Sequence, residues 1–572
     1  MGSITAAQSR VKAPAGNGHG TPAAPRCVPD GRNRAPAIFL RMRAPPGFHG
    51  PFRTDDAARA AYAEGAGVFR IVPAAVAVPQ DTGDVVRLVR WAAETGTALT
   101  PRGSGSAMAG QNVGSGVLVD LSRAFPEPAV VDPHSRTARA GASVIYRDLD
   151  AAARKHGLRL PPDPSSGAFC TIGGMVACNA AGAHTVKYGA MRRWVRTLDF
   201  ITADGETGRA TSGDDRHAAT SAEHRFWEDV APELDRRGGE LARLRPRTRK
   251  NSSGYAIFPD DLPRVRNLLV GSEGTLAIVT HVEVNLAAVP ESVSTLLITL
   301  RSLEDVAPAI DALDRFEPSA VELLDRTYID FVSAAVPDRL PRNTEAMLLV
   351  ELERDGRAAE AAVAPIAASV VHADDPVSSG RLWETRHLAS PLLTALPGTL
   401  RSLQIVEDGC VPRPRLGDYI RGLRRLAKEH DFEVVIFGHA GDGHVHANLL
   451  ADVSRADLAA RLARLLEEVS GLLAELGGTL AGEHGDGRLR APFLERLYGA
   501  TYVELCRRVK RAFDPAGILN PGVKLGVAPL SGASLKVGPD APALEPRLAH
   551  ALREIEKSAT WATFRLDLAP TP

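Results

Sequence analysis

Thr171-Ile-Gly-Gly-Met-Val-Ala-Cys-Asn-Ala-Ala-Gly182, preceded by Pro162-Asp-Pro-Ser-Ser166, is the most glycine- and alanine-dense stretch of the chain. A run so poor in side-chain bulk is costly to order unless something large packs against its backbone. A glycine-rich surface loop is the plain alternative, and the embedded apolar Ile172, Met175 and Val176 count against it. Upstream lies Pro101-Arg-Gly-Ser-Gly-Ser-Ala-Met-Ala-Gly-Gln111. Glycines and serines behind a strand let backbone N–H groups converge into a nest suited to a phosphate. This is not the dinucleotide fingerprint, because Gly110 is misplaced for G-x-G-x-x-G and no helical pattern opens at the glycines. Taken alone, a plain turn explains the loop equally well. A third segment, Gly271-Ser-Glu-Gly-Thr275, runs directly into a strand.

Around these loops helix and strand alternate, without internal repeats. Val85, Leu88, Val89, Ala92 and Ala93 trace a helical face that Gly96 can close. Ala98 to Thr100 and Val117 to Leu121 read as strands, and Ile145 to Lys155 as a helix ended by Gly157. Further on, Met347 to Leu352 reads as a strand. Leu458, Leu462, Leu465, Val469, Leu472 and Leu476 mark a long helix stopped by Gly477-Gly478. At 572 residues the chain exceeds what one core supports. The expected organisation is a disordered extension over 1–49, a first domain over 50–290, a second over 291–500, a segment over 501–525 returning to the first, and a loosely attached tail over 526–572.

Basic and acidic residues balance at 68 each, so no global field draws the chain to nucleic acid or an anionic membrane. Cys27, Cys170, Cys178, Cys410 and Cys506 are scattered and odd in number. They suit neither a disulfide framework nor an iron–sulfur cluster. With no apolar stretch of about 20 residues and no signal-peptide core, a cytoplasmic protein is expected, docking on a membrane partner being left open.

A second signal lies in Gly438-His-Ala-Gly-Asp-Gly-His-Val-His-Ala-Asn448, a strand end, a tight turn and a returning strand. Alternation puts His444, His446 and Asn448 on one face, and His439 can face His446 across the turn. The long helix then leads back to Thr479-Leu-Ala-Gly-Glu-His484, bringing Glu483 beside the hairpin. Two imidazoles and a carboxylate leave coordination positions open, as a catalytic metal site does. Histidines beside glycines are also common as simple turn residues, and His444 reads more simply as packed than as a ligand.

The order of Pro101–Ser106, Pro162–Ser166, Ile172-Gly-Gly174, Asn179-Ala-Ala-Gly182, Lys187-Tyr-Gly189 and Gly271–Thr275 resembles the vanillyl-alcohol-oxidase type of FAD-binding domain. Phe513-Asp-Pro-Ala-Gly-Ile-Leu-Asn-Pro-Gly522 is similar to the segment that closes this family's flavin site. The resemblance implies an α+β protein. It would comprise a PCMH-type FAD-binding domain of two α/β subdomains, a ferredoxin-like α/β substrate (cap) domain, and a C-terminal helical segment returning to the flavin domain. It implies FAD held by Arg102, Gly103, Ser104, Gly105, Ser106, Gly110, Gln111, Pro162, Ser165, Ser166, Thr171, Gly173, Gly174, Asn179, Gly182, Glu273, Gly274, Thr275, Ile278 and Asn520. Some members attach the flavin through a histidine in the first loop. Here Ser106 stands in that neighbourhood, which implies a non-covalent cofactor.

The hairpin and the following Glu483-His-Gly485 resemble the D-lactate and D-2-hydroxyglutarate dehydrogenase branch, related to the FAD subunit of glycolate oxidase. Carried over, His439, His446 and Glu483 hold a divalent metal, zinc or manganese, and His484 is the general base. Arg386 of Trp383-Glu-Thr-Arg386 binds the substrate carboxylate, and Asn448 contacts substrate. Two positions depart from the D-2-hydroxyglutarate pattern: His444 replaces an Asn, and Val406 stands where a Lys is usual. The expected activity is hydride transfer from a D-2-hydroxy acid to FAD, His484 working as a neutral imidazole near pH 7. An unidentified electron acceptor completes the cycle, and a homodimer is left open. The rival readings are a non-catalytic electron-transfer subunit and an oxidase of a bulky alcohol or sugar.

Overall fold

Asp81 accepts a hydrogen bond from Asp84 N and so caps the helix Thr82–Thr95, whose buried Val85, Leu88, Val89 and Ala92 are those of the expected stripe; Gly96, left-handed, ends it. In the computed structural model, which describes residues 42–213, 218–261, 265–337, 340–341 and 343–569, this helix packs on a four-stranded sheet. The strand order is Phe52–Arg53, Ala75–Ala77, Val117–Asp120 and Leu99–Arg102. Val117–Asp120 runs parallel to both Ala75–Ala77 and Leu99–Arg102. The glycine loop leaves the carboxyl end of Leu99–Arg102, where parallel strands open a crevice. A second sheet of five antiparallel strands follows, in the order Val130–Asp132, Thr137–Gly141, Ala277–Asn285, Val195–Thr202 and Thr207–Thr211.

The glycine- and alanine-dense stretch is a helix rather than an open loop. Ile172–Cys178 is capped by Thr171, whose side chain accepts from Gly174 N, and ends at a left-handed Asn179. Ile172, Met175 and Val176, spaced for one helical face, are buried in the second sheet's core. Its glycines keep the opposite face bare.

The chain then builds a seven-stranded antiparallel sheet in the order Ser369–Ala373, Ser294–Leu300, Ala346–Leu352, Ala320–Asp325, Glu433–His439, His444–Asp452 and Leu400–Leu403. Helices Leu416–Glu429 and Leu458–Leu476 bury their leucine faces against it. Helix Leu494–Phe513, kinked at Gly499, carries Tyr498, Tyr502, Cys506 and Phe513 back into the core of the five-stranded sheet. No helix among the described residues is long and apolar enough to cross a membrane. Cys170, Cys178, Cys410 and Cys506 are free thiols. Cys27 and most of the expected N-terminal extension lie outside the described residues.

Both ends of the chain differ from expectation where they are described. Residues 42–49 are packed: Met42 and Phe48 lie against the first sheet's core, and His49 N and Gly50 N donate to Asp84. The region after residue 525 is not loosely attached. Helix Pro546–Ser558 buries Leu548, Leu552 and Ile555, and Leu548 and Ala569 share a core with Ala58, Ala61 and Tyr62. Its proline-rich composition hid an amphipathic helix that covers the first sheet.

The loops flanking helix Ile172–Cys178 are tied to the seven-stranded sheet by charge. His184 Nδ1 donates to Asp163 at 2.6 Å and Nε2 to Glu351 at 2.9 Å. Burial opposes the charge, but the two carboxylates more than offset it and push His184 up to about 10. A histidine whose pKa is raised on folding contributes stability that is full below its unfolded value and lost as pH rises through the folded one. His184→Gln should therefore cost about 3 kcal/mol at low pH and progressively less from about pH 6.5 to 10. Urea unfolding of both proteins across that range checks it; a difference independent of pH would refute the assignment.

Candidate active site

One continuous cleft runs between the first two sheets. The glycine-loop wall consists of Gly103 to Met108, and the facing wall of Ser165, Ser166, Thr171, Gly173 and Gly174; Gly274 and Ile278 extend it. Glu483 and His484 line it as well. The small residues are imposed by close packing around them. A Cβ on Gly103 would lie 2.5 Å from Thr171 Oγ1, and one on Gly105, at φ +85°, would collide with the Arg102 guanidinium. The wall is thus low in side-chain bulk, which suits the phosphates of a dinucleotide.

Of the residues expected to hold FAD, Arg102, Gly103, Ser104, Gly105, Ser106, Gln111, Ser165, Ser166, Thr171, Gly173, Gly174, Glu273, Gly274 and Ile278 line this cleft. Gly110, Pro162, Asn179, Gly182, Thr275 and Asn520 do not; they stand behind it. Gly110 abuts the Phe69 ring. Asn179 caps its helix and accepts from Arg192 N, and Gly182 lends its carbonyl to Lys250. Asn520 Nδ2 ties the carbonyls of Gln111 and Glu273 together. The Glu273 carboxylate binds Lys524 at 2.8 Å and the backbone of Asp486 and Gly487.

The hairpin and the segment around Glu483 meet. In register, His439 pairs with His444 and Phe437 with His446, so the contact between His439 and His446 is diagonal rather than directly across. His439 Nε2, His446 Nε2 and Glu483 Oε1 nevertheless form a near-equilateral triangle, with sides of 3.2, 3.3 and 3.3 Å. Ligands about 2.0–2.1 Å from a common centre in tetrahedral arrangement stand about 3.3–3.4 Å apart. The other ring nitrogens are engaged: His439 Nδ1 donates to Glu322 at 2.5 Å, and His446 Nδ1 to the Glu407 carbonyl at 3.0 Å. In the neutral rings both Nε2 lone pairs would be turned toward the same point, the outer-shell pattern of metal-binding histidines. The donor set fits a divalent cation.

His444 lies in the same group but is fully buried against Asp408, at 2.9 Å. Burial holds it neutral, with its pKa lowered to about 3. His484 Nδ1 donates to Glu407 at 2.8 Å, and its Nε2 lies 3.6 Å from Glu483. Burial works against its charge, yet Glu407 and Asp408 prevail and push it up to about 10. The neutral imidazole expected of His484 would need a positive charge nearby to offset these two carboxylates. Arg386 Nε donates to Glu322 at 2.8 Å, and its guanidinium lies over the Phe437 ring. Asn448 accepts from Gln404 at 3.3 Å and from Ser402 at 3.4 Å.

Sequence reasoning missed the residues that orient these groups. Glu322 holds both His439 and Arg386. Glu407 and Asp408 hold His484, His444 and the buried Arg490. Lys250 donates to Glu483 at 2.9 Å and keeps its pKa well below the usual carboxylate range despite burial. The adjacent acids at 407 and 408 were the one local signal, since buried carboxylates need partners. Nothing in spacing connects residues 250, 322 and 484.

A glycine-lined cleft that shares Glu483 and His484 with a histidine–carboxylate cluster fits a flavin-linked oxidoreductase. Residues 73–211 match the family model described as FAD binding domain, and residues 289–523 that of FAD linked oxidases, C-terminal domain. The chain is 31% identical to glycolate oxidase subunit GlcD of Bacillus subtilis, over 79% of this chain and 89% of that protein. It is 30% identical to D-lactate dehydrogenase of Archaeoglobus fulgidus, over 78% and 90%. To D-2-hydroxyglutarate dehydrogenase of Pseudomonas putida it is 29% identical, over 87% of this chain and 53% of that longer protein. Among solved structures, 4-ethylphenol oxidase from Gulosibacter chungangensis shares the fold, with a TM-score of 0.59 at 16% identity, covering 84% of this chain and 94% of that one. The chain belongs to the family of FAD-linked oxidoreductases that contains these glycolate oxidase and D-lactate dehydrogenase relatives.

Proposed function

We propose that the protein oxidises a D-2-hydroxy acid to the 2-oxo acid, with non-covalent FAD and a divalent cation, zinc or manganese, held by His439, His446 and Glu483. One observation carries the reading: Glu483 and His484 belong at once to the cleft and to the histidine cluster. A substrate on the cluster would therefore border the cofactor. The relatives' names supply the substrate class.

Bound FAD supplies the two-electron acceptor, and the cation supplies Lewis acidity toward the substrate's oxygens. Arg386 binds the carboxylate, and Glu322, shared with His439, holds the two in fixed relation. Asn448 borders the bound acid. His484 accepts the hydroxyl proton at Nε2, because Nδ1 is committed to Glu407. It can do so near neutral pH only where added positive charge beside Glu483 offsets Glu407 and Asp408.

Anaerobic mixing of the holoprotein with D- and L-2-hydroxy acids tests the reading through the oxidised-flavin absorbance. Bleaching by a D acid and not by its L enantiomer is expected; no bleaching by any of them, or bleaching by L acids alone, would defeat it. With Ser106 in the loop, acid precipitation should release the yellow colour to the supernatant. Colour retained in the washed pellet would show a covalent flavin. The cytoplasm, with an acceptor still to be identified, remains the proposed setting.

A further inference from the structure

Lys250 and Asp442 are buried charges that the proposed reaction leaves without a part. Asp442 sits in the tight Gly441-Asp442-Gly443 turn between the two histidine-bearing strands. Lys250 comes from a distant segment, fastened to the chain just before Glu483 by a 2.8 Å hydrogen bond from Ser252 N to the Ala481 carbonyl. Its ammonium donates to Glu483 Oε2 at 2.9 Å and to the Gly182 carbonyl at 3.3 Å, and Asp442 Oδ2 stands 3.5 Å away. Arg249, the other cation beside Asp442, is farther off at 3.8 Å and exposed. An ammonium taken out of water is costly unless it is paired and hydrogen-bonded, so Lys250 is held where it stands. The two Glu483 oxygens are thereby divided. Oε1 lies 3.2 Å from His439 Nε2 and 3.3 Å from His446 Nε2, whereas Oε2 is taken by Lys250.

We propose that Lys250 is a positioning residue that restricts Glu483 to one-oxygen ligation of the cation, and that Asp442 anchors Lys250 for this task. The inference rests on the reading of His439, His446 and Glu483 as cation ligands. A carboxylate free to offer both oxygens takes up a second coordination position. With Oε2 bound to Lys250, that position is left to the oxygens of the hydroxy acid. The ammonium also repels the cation. The donor set therefore binds its cation less tightly than two imidazoles and an unrestrained carboxylate would, and neutralises less of its charge. Less neutralisation means stronger polarisation of a bound hydroxyl group. The site gives up affinity for an open position and a more electrophilic cation.

The test uses FAD-loaded, chelator-stripped wild type, Lys250→Met and Asp442→Asn. Zinc affinity is measured at one pH by competition with a chromophoric chelator, and cobalt(II) added in place of zinc is followed by its absorption beyond the flavin band. Lys250→Met should bind zinc about tenfold or more tightly than the wild type, because a positive charge beside the site is gone. Its cobalt absorption should fall, since the freed second oxygen raises the coordination number. Asp442→Asn keeps the ammonium on Glu483 with less to oppose it and should bind zinc more weakly. The opposite signs matter, because residues that merely supported the fold would weaken binding in both variants. Zinc binding by Lys250→Met that is equal or weaker, or a cobalt spectrum that does not change, overturns the proposal. Should Lys250→Met fail to fold, Lys250→Gln, equally neutral but carrying an amide donor, must show the tighter zinc binding or the proposal falls. A wild type that binds neither zinc nor cobalt defeats the cation reading itself, and this inference with it; a wild type that binds them while the variants miss the expected signs defeats the inference alone.

Discussion

His439→Ala should remove divalent-cation binding and lower turnover roughly a thousandfold or more, while the oxidised flavin spectrum stays unchanged. The magnitude follows from losing a Lewis acid worth several kcal/mol at about 1.4 kcal/mol per tenfold in rate. The selectivity follows from position: His439 lies in the hairpin of the seven-stranded sheet, whereas the glycine loop and the helix Ile172–Cys178 line the cleft from the other two sheets. His439 also holds Glu322, so the loss could act through Arg386 instead. Glu483→Gln distinguishes the two, since it weakens a ligand without touching Glu322. Metal analysis and activity of both variants, together with a chelated wild type restored by zinc or manganese, form the check. Full activity in cation-free protein would remove the metal from the mechanism.

His484→Ala should lower kcat by a factor of about 100 to 10,000 with little change in apparent substrate affinity, as expected for a proton acceptor that acts in the transition state. Arg386→Ala should weaken binding as well as slow the reaction, because a guanidinium–carboxylate pair forms in the ground state too. The pH profile sharpens the distinction. In the loaded enzyme kcat/KM should fall as pH falls through the pKa of His484, and His484→Ala should lose that limb. Glu407→Gln removes a negative charge 2.8 Å from Nδ1, so protonated His484 is less favoured and the limb should move to lower pH. A Glu407→Gln profile that coincides with the wild type would show that another group takes the proton.

The helix Thr82–Thr95 was legible because its stripe and its caps, Asp81 and Gly96, are local features. So was the hairpin of His439 and His446, where the turn and the two-residue period of a strand lie within one short stretch. The glycine-dense stretch was legible as unusual but not as helical, because a single Thr171 cap and three apolar residues are a weak signal among glycines. The packed C-terminal region was misread for the same kind of reason: composition reports the average of a segment, whereas packing depends on which residues share a face. The FAD-type loops and the hairpin carrying the histidine pair were thus legible in residue order along the chain. The acids that act on His484 and the orientation of Arg386 were not, since Glu407, Asp408 and Glu322 arrive from distant positions. Electrostatic energy in a buried site falls off with distance in space and is indifferent to separation in sequence, so only the tertiary structure could decide them.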